Sequence, residues 1–218
     1  MGAGRVQSTL ARNDEPAADL PISGDPFQLK LGDIELFVHL VGVISVFIGF
    51  GTLLLATFAL GRASRVEQVR AIMTPLVAGR RIGPEQISLI DVLVIAGVLL
   101  IAASGIAMAR ANDYLLSSWV EVATVSLLLM APVGPFVINP RLHGIAEESR
   151  RNTDGPIPPA LRSRIQDRLL VLAMRCTVAV LLGIVFLMAT KPSLAVSIGA
   201  MLAVVGLGTV SSLPFRKV

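Results

Sequence analysis

Cysteine, tryptophan and tyrosine occur once each in this chain, and histidine twice. The lone cysteine, Cys176, excludes a disulfide framework within the chain. His39 lies in an apolar run and His143 in a polar connection, which excludes a haem held by two membrane histidines of one chain. Charge is scarce as well: 16% of residues are charged against 54% hydrophobic, and mean hydropathy is +0.75. A soluble domain of 218 residues needs more charge to cover its surface. No Walker A loop, zinc motif, nucleophile elbow or glycine-rich nucleotide fingerprint occurs, so no catalytic residue is singled out. The net charge of +4 and a pI near 10.0 do not call for nucleic acid, because the basic residues lie in connections between apolar runs.

What the chain does have is long apolar runs. Backbone polar groups in hydrocarbon must bond within their own segment, so runs of this length must be helices; strands would show short alternating segments. The fold class is therefore an all-α, polytopic transmembrane bundle of about five spans. They run from about Ile34 to Leu60, Ser88 to Ala109, Trp119 to Ile138, Leu169 to Ala189 and Ser193 to Leu213. Each is near the ~20 residues needed to cross a bilayer. Residues 1–33 read as a polar, mostly disordered extracytoplasmic tail with no cleavable signal peptide, in which Phe27, Leu29 and Leu31 can touch the bilayer surface. Residues 34–218 read as the transmembrane domain. Thr190 to Ser193 form a tight turn around Pro192.

Basic residues set the orientation. Arg62, Arg65, Arg70, Arg80 and Arg81 follow span one; Arg141, Arg150, Arg151, Arg162, Arg164 and Arg168 follow span three; Arg216 and Lys217 follow span five. The other side holds only Arg5, Arg12, Lys30, Arg110 and Lys191. The richer side is cytoplasmic by the positive-inside rule, which puts the N-terminus outside the membrane and the C-terminus in the cytoplasm. Tyr114 and Trp119 then fall in an outer aromatic belt. Val66, Val69, Ile72, Met73 and Leu76 recur at helical spacing, an amphipathic helix lying on the inner membrane surface. Residues 152–159 form a break between extensions of spans three and four.

Span one carries a seam of small residues, Gly42, Ser45, Gly49, Thr52, Ala56 and Ala59, at alternating three- and four-residue steps. Helix association in lipid relies on close backbone approach at such positions, so this reads as a packing face and makes span one central. Its functional alternative is a narrow substrate path. Span five has a shorter version in Ala195, Gly199, Ala203 and Gly206.

Four ionisable residues lie within or near the ends of spans. Depth permits two pairs: His39 with Glu121 in the outer leaflet, and Asp91 with Arg175 in the inner leaflet. His39 shares a face with the seam, and Glu121 a stripe with Ser117 and Thr124, which makes these two the candidate functional polar site. The plainer alternative is a hydrogen-bonded strut. No cofactor is expected; Cu(I) on His39 with Met108 and Met188, at similar depth, is the one metal option. Methionine is also an ordinary core filler. Pro132 and Pro135 each remove a backbone donor, so span three should kink or open in its inner half.

Several short motifs carry a family resemblance over about residues 34–192. Leu36-Phe-Val-His-Leu-Val-Gly42 before the small-residue span resembles the first helix of a bacterial family of predicted integral membrane proteins, a domain of unknown function. Pro140-Arg-Leu-His-Gly-Ile-Ala146 resembles that family's exit from span three. Ile157-Pro-Pro before an arginine-rich helix, and Phe186-Leu-Met-Ala-Thr-Lys-Pro192 closing span four, are similar too. The family is distantly similar to copper-resistance membrane proteins of the D type. The resemblance implies a helical membrane architecture and a bacterial plasma membrane. The chain departs from the family's tryptophan-rich pattern in having only Trp119.

The expected role is a non-enzymatic accessory or scaffold membrane subunit, with the lipid bilayer and a membrane-protein partner or second copy as its partners. The competing role is a small transporter or ion-handling protein using His39 and Glu121.

Overall fold

The computed structural model describes residues 31–77, 79–82 and 85–212. Most of the tail expected over 1–33 lies outside the described residues, as do Phe27, Leu29, Arg216 and Lys217. The fold is an all-α transmembrane bundle. Five helical stretches are long and apolar enough to cross a membrane: Leu31–Arg62, Leu89–Ala111, Ser118–Arg151, Pro159–Thr190 and Leu194–Ser212. The chain is an integral membrane protein.

The first span is one helix, α1 (Leu31–Arg62), with Asp33 in its first turn and Arg62 in its last, each complementing the helix dipole. A short helix, α2 (Val66–Val77), follows, then an antiparallel hairpin of β1 (Gly79–Ile82) and β2 (Glu85–Ser88) in which Gly79 pairs with Ser88 and Ile82 with Glu85. This hairpin is not anticipated by the apolar pattern. Span two is α3 (Leu89–Ala111). Its start is fixed by a capping box: Ser88 Oγ accepts from the Asp91 N–H at 3.1 Å, and the Asp91 carboxylate accepts from the Ser88 N–H at 2.9 Å.

Span three is composite. It begins as α4 (Ser118–Met130), opens into a π-helical segment at Gly134–Ile138, and continues as α5 (Asn139–Arg151). The opening falls where Pro132 and Pro135 withdraw their donors, and the Phe136 N–H bonds the Pro132 carbonyl at 3.0 Å. Span four combines α6 (Pro159–Ile165) with α7 (Arg168–Thr190), and α8 (Leu194–Ser212) is span five. Lys191 ends α7 in the left-handed conformation, at φ 46°, ahead of Pro192.

Span four, not span one, is the most enclosed. In its apolar stretch 44% of residues are buried, against 28% in span one and 11% in span three. The reason is topological: α7 packs against α1, α4 and α8, whereas α3 leans chiefly on α1.

The largest core lies at one end of the bundle. It joins Leu53, Ala56 and Leu60 of α1 to Val66, Val69 and Met73 of α2, Leu142 and Ile145 of α5, Leu161 of α6, and Leu170 and Met174 of α7. This corrects the expectation that the bilayer surface covers the apolar face of α2. Its apolar face is covered by α5. Directional bonds fix α2 against its protein neighbours. Arg70 donates to Asp154 Oδ1 at 2.8 Å and to the carbonyls of Ser149 and Asn152 at 3.1 and 2.9 Å. The Val66 N–H bonds the Gly155 carbonyl at 2.9 Å. Glu67 accepts from the Gly155 N–H at 3.1 Å. Its carboxyl is held below the usual range by its own backbone N–H first, and also by Gly155 and Arg65. Gly155 sits at φ +146°, where a side chain would be strained. The break at 152–159 is thus a loop clamped by α2. Arg141 adds a bridge to Asp167, the N-cap of α7, at 2.9 Å. Helices α2, α5 and α6 form a compact cap on one side of the membrane domain.

Candidate functional site

His39 is buried in the face of α1 turned toward α3, and its Nδ1 lies 3.1 Å from Ser104 Oγ. The Ser104 hydroxyl donates its single proton to the Leu100 carbonyl at 2.5 Å. Its oxygen can therefore only accept from histidine, which assigns the proton of the neutral ring to Nδ1. Gly105 backs the ring: a Cβ there would stand 3.4 Å from His39 Cε1. Sequence reasoning missed Ser104. The available signal was its place on the Gly97–Ile101–Ser104 stripe, whose four- and three-residue steps make one helix face.

Glu121 does not join His39. It lies exposed on α4 with Thr124, while the buried side of that helix is Ala123, packed on Val180, Ile184 and Met201. Helix α4 contacts α7 and α8, whereas His39 sits between α1 and α3. The two share depth but not direction.

Asp91 and Arg175 are not brought together either. The Asp91 carboxylate is occupied by the Ser88 cap and by Asn139 Nδ2, 3.2 Å away. Arg175 reaches across to Phe58 of α1, its guanidinium carbon 5.5 Å from the ring centroid. A short carboxylate finds the nearest donors, which here belong to its own helix start and to the head of α5.

Four of the six residues of the proposed seam face protein. The buried face of α1 runs His39, Gly42, Val46, Gly49, Leu53, Ala56, Leu60. Gly42, Gly49 and Ala56 belong to it, Ser45 is half-buried with its Cβ against Gly97 of α3, and Thr52 and Ala59 are exposed. Ser45 and Thr52 bond the Val41 and Ile48 carbonyls of their own helix at 2.8 and 2.7 Å, so neither hydroxyl needs an acceptor on another helix. Gly42 and Gly97 bring the two backbones together: a Cβ on either would stand 2.8–2.9 Å from the other's carbonyl oxygen. In span five the seam points outward. Helix α8 buries Ser197, Met201 and Gly208, while Ala195, Gly199, Ala203 and Gly206 are exposed.

Met188 packs in the α4–α7–α8 cluster, away from the α1–α3 face that holds His39. Met108 is half-buried on α3. Among the described residues no three His, Cys, Asp or Glu side chains gather to hold an ion.

On the side away from the cap, Lys191 Nζ stands 4.5 Å from the Tyr114 ring centroid and 5.9 Å from that of Trp119, and the two rings meet edge to face at 5.8 Å. This cluster ties the α7–α8 turn to the α3–α4 connection, at about 0.5–1 kcal/mol for an exposed cation–π contact.

Ser104→Ala should cost roughly 0.5–1.5 kcal/mol, the range for hydrogen bonds between membrane helices. Nitrogen NMR of the wild type should show His39 protonated at Nδ1, with that signal shifted in the variant. An unshifted signal would refute the pairing. No family model, curated protein or solved structure matches this chain.

Proposed function

We propose that this protein is a non-enzymatic accessory or scaffold subunit of a bacterial plasma membrane, associating through its transmembrane helices with another membrane chain or a second copy. The observation that carries this reading is the outward turn of the α8 seam. Ala195, Gly199, Ala203 and Gly206 form the kind of surface on which membrane helices associate, and they lie roughly opposite the face that α8 buries in its own bundle. The sparse burial of span three supports the same reading. So does His39: among the described residues it is the one buried titratable side chain, and a serine of the same bundle holds it, as in a strut. The cap then faces the cytoplasm and the N-terminus the outside, on the arginine asymmetry.

The test uses Gly199, where an added Cβ meets nothing within 4 Å. Gly199→Leu should leave the thermal stability of the isolated chain unchanged and abolish its association in nanodiscs extracted from the native membrane. Unchanged association would remove the basis for the reading.

A further inference from the structure

On the cap side of the membrane domain, α7 forms the floor of an open groove walled by α1 and α8. It holds about 650 Å³, within the range of small-molecule sites. Its length is apolar: Leu54, Val178, Ala179, Leu182, Val204 and Leu207 contribute most of the walls. Gly208 lets α8 close on α7 here, since a Cβ on it would stand 3.0 Å from the Cys176 Cα. Two groups with polar atoms mark one end, Arg175 and Ser211. The Ser211 hydroxyl donates back to the Gly208 carbonyl at 2.8 Å, which leaves Arg175 as the donor.

Among the described residues Arg175 is a cation without a counter-charge: it makes no ion pair, and its recorded contact is the face of Phe58. Two further arginines lie toward the same end. Arg168 precedes Arg175 by two helical turns on one stripe of α7, and Arg62 follows Phe58 by one turn on α1. Both are exposed, and neither makes an ion pair among the described residues. From Arg168 to Arg175 the helix descends about 10 Å, so the basic residues step from the membrane surface into the groove.

We propose that this groove binds one anionic phospholipid of the cap-side leaflet, with its phosphate on Arg175 and an acyl chain along α7 toward Leu182. Charge complementarity selects that occupant. A half-buried guanidinium at the mouth of an apolar channel gains most from a phosphate, which it can bind through two parallel N–H donors. The apolar remainder offers nothing to a free inorganic ion and matches hydrocarbon.

Native mass spectrometry of the full chain, released from nanodiscs of mixed phosphatidylglycerol and phosphatidylcholine, tests this. The wild type should retain one phosphatidylglycerol with about fivefold preference, the scale of one surface arginine acting on an anionic lipid. Arg175→Gln should remove the preference and Arg175→Lys should keep most of it. Ser211→Asp, at an exposed position of the mouth, should abolish it by repulsion and serves if Arg175→Gln does not fold. Arg110→Gln, at the opposite end of α3, should change nothing. Equal retention of the two lipids by the wild type would overturn the proposal. So would a preference that survives both Arg175→Gln and Ser211→Asp, which marks a merely annular effect. A dimer mass with neither lipid retained would assign the groove to a second copy instead.

Discussion

Gly97→Leu is expected to separate α3 from α1. A Cβ at Gly97 would already stand 2.8 Å from Val46 Cγ2 and 2.9 Å from the Gly42 carbonyl oxygen. The second of these is backbone and cannot rotate away, so the helices must move apart. Overpacking of a filled interior costs about 1–3 kcal/mol and occasionally more, and a branched side chain between two backbones belongs at the upper end. Helix α3 has little else to hold it, since α1 is its chief neighbour. The matched control is Gly51→Leu on α1, where a Cβ meets nothing within 4 Å. There the change should be neutral or favourable, because leucine exceeds glycine in helix propensity by up to about 1 kcal/mol. Thermal unfolding of both variants in one detergent checks the pair. Equal melting temperatures would contradict the packing described.

Arg70→Ala should open the cap while leaving the spans intact. One guanidinium holds Asp154 and two carbonyls, those of Ser149 and Asn152, at the end of α5. Losing it frees the 152–157 loop from α2 and leaves acceptors without their donor. The guanidinium is partly exposed, so solvent screening reduces the loss to about 2 kcal/mol of local opening, or roughly thirtyfold faster hydrogen exchange. The amides to watch are Val66, bonded to the Gly155 carbonyl, and Ile157, bonded to the Ser64 carbonyl. Arg70→Lys should recover only part, because a single ammonium cannot reproduce the planar fork. Exchange confined to wild-type rates in Arg70→Ala would mean that the apolar contacts alone hold the cap.

The spans were legible because hydrocarbon imposes one rule on every backbone group. Expected and observed limits of α1, α3, α7 and α8 agree to within about three residues, ordinary scatter for helix ends. The opening of span three was legible from Pro132 and Pro135 for the same local reason. What depends on direction around a helix axis was legible only in part: the small-residue face of α1 does turn His39, Gly42, Gly49 and Ala56 inward. Periodicity in α2 revealed a face that needs covering, but a bilayer and a neighbouring helix cover it equally well on paper. Depth put His39 beside Glu121 and Asp91 beside Arg175, yet depth says nothing of rotation, and both pairs came apart. Asp91 did carry a readable signal, the Ser-x-x-Asp spacing from Ser88 that marks a capping box. Small residues at packing spacing are expected to face inward on both α1 and α8. Inside α1 that describes Gly42 and Gly49, whereas on α8 the bulky Met201 fills the interior and the small residues face out. The hairpin left a fainter trace: Gly83-Pro84 between Ile82 and Glu85 is a turn signal without flanking apolar alternation.

The central claim is a five-span chain whose connections after spans one and three fold together on one side of the membrane. Cysteine labelling tests it most directly, in a Cys176→Ser background that removes the native thiol. Single cysteines go at Asp154, in the loop clamped by α2, and at Asn112, after α3; both positions are exposed. A membrane-impermeant maleimide is applied to right-side-out and inverted vesicles. Position 112 should label only from outside and position 154 only in inverted vesicles. Labelling of both positions from the same side would contradict the topology and the cap together.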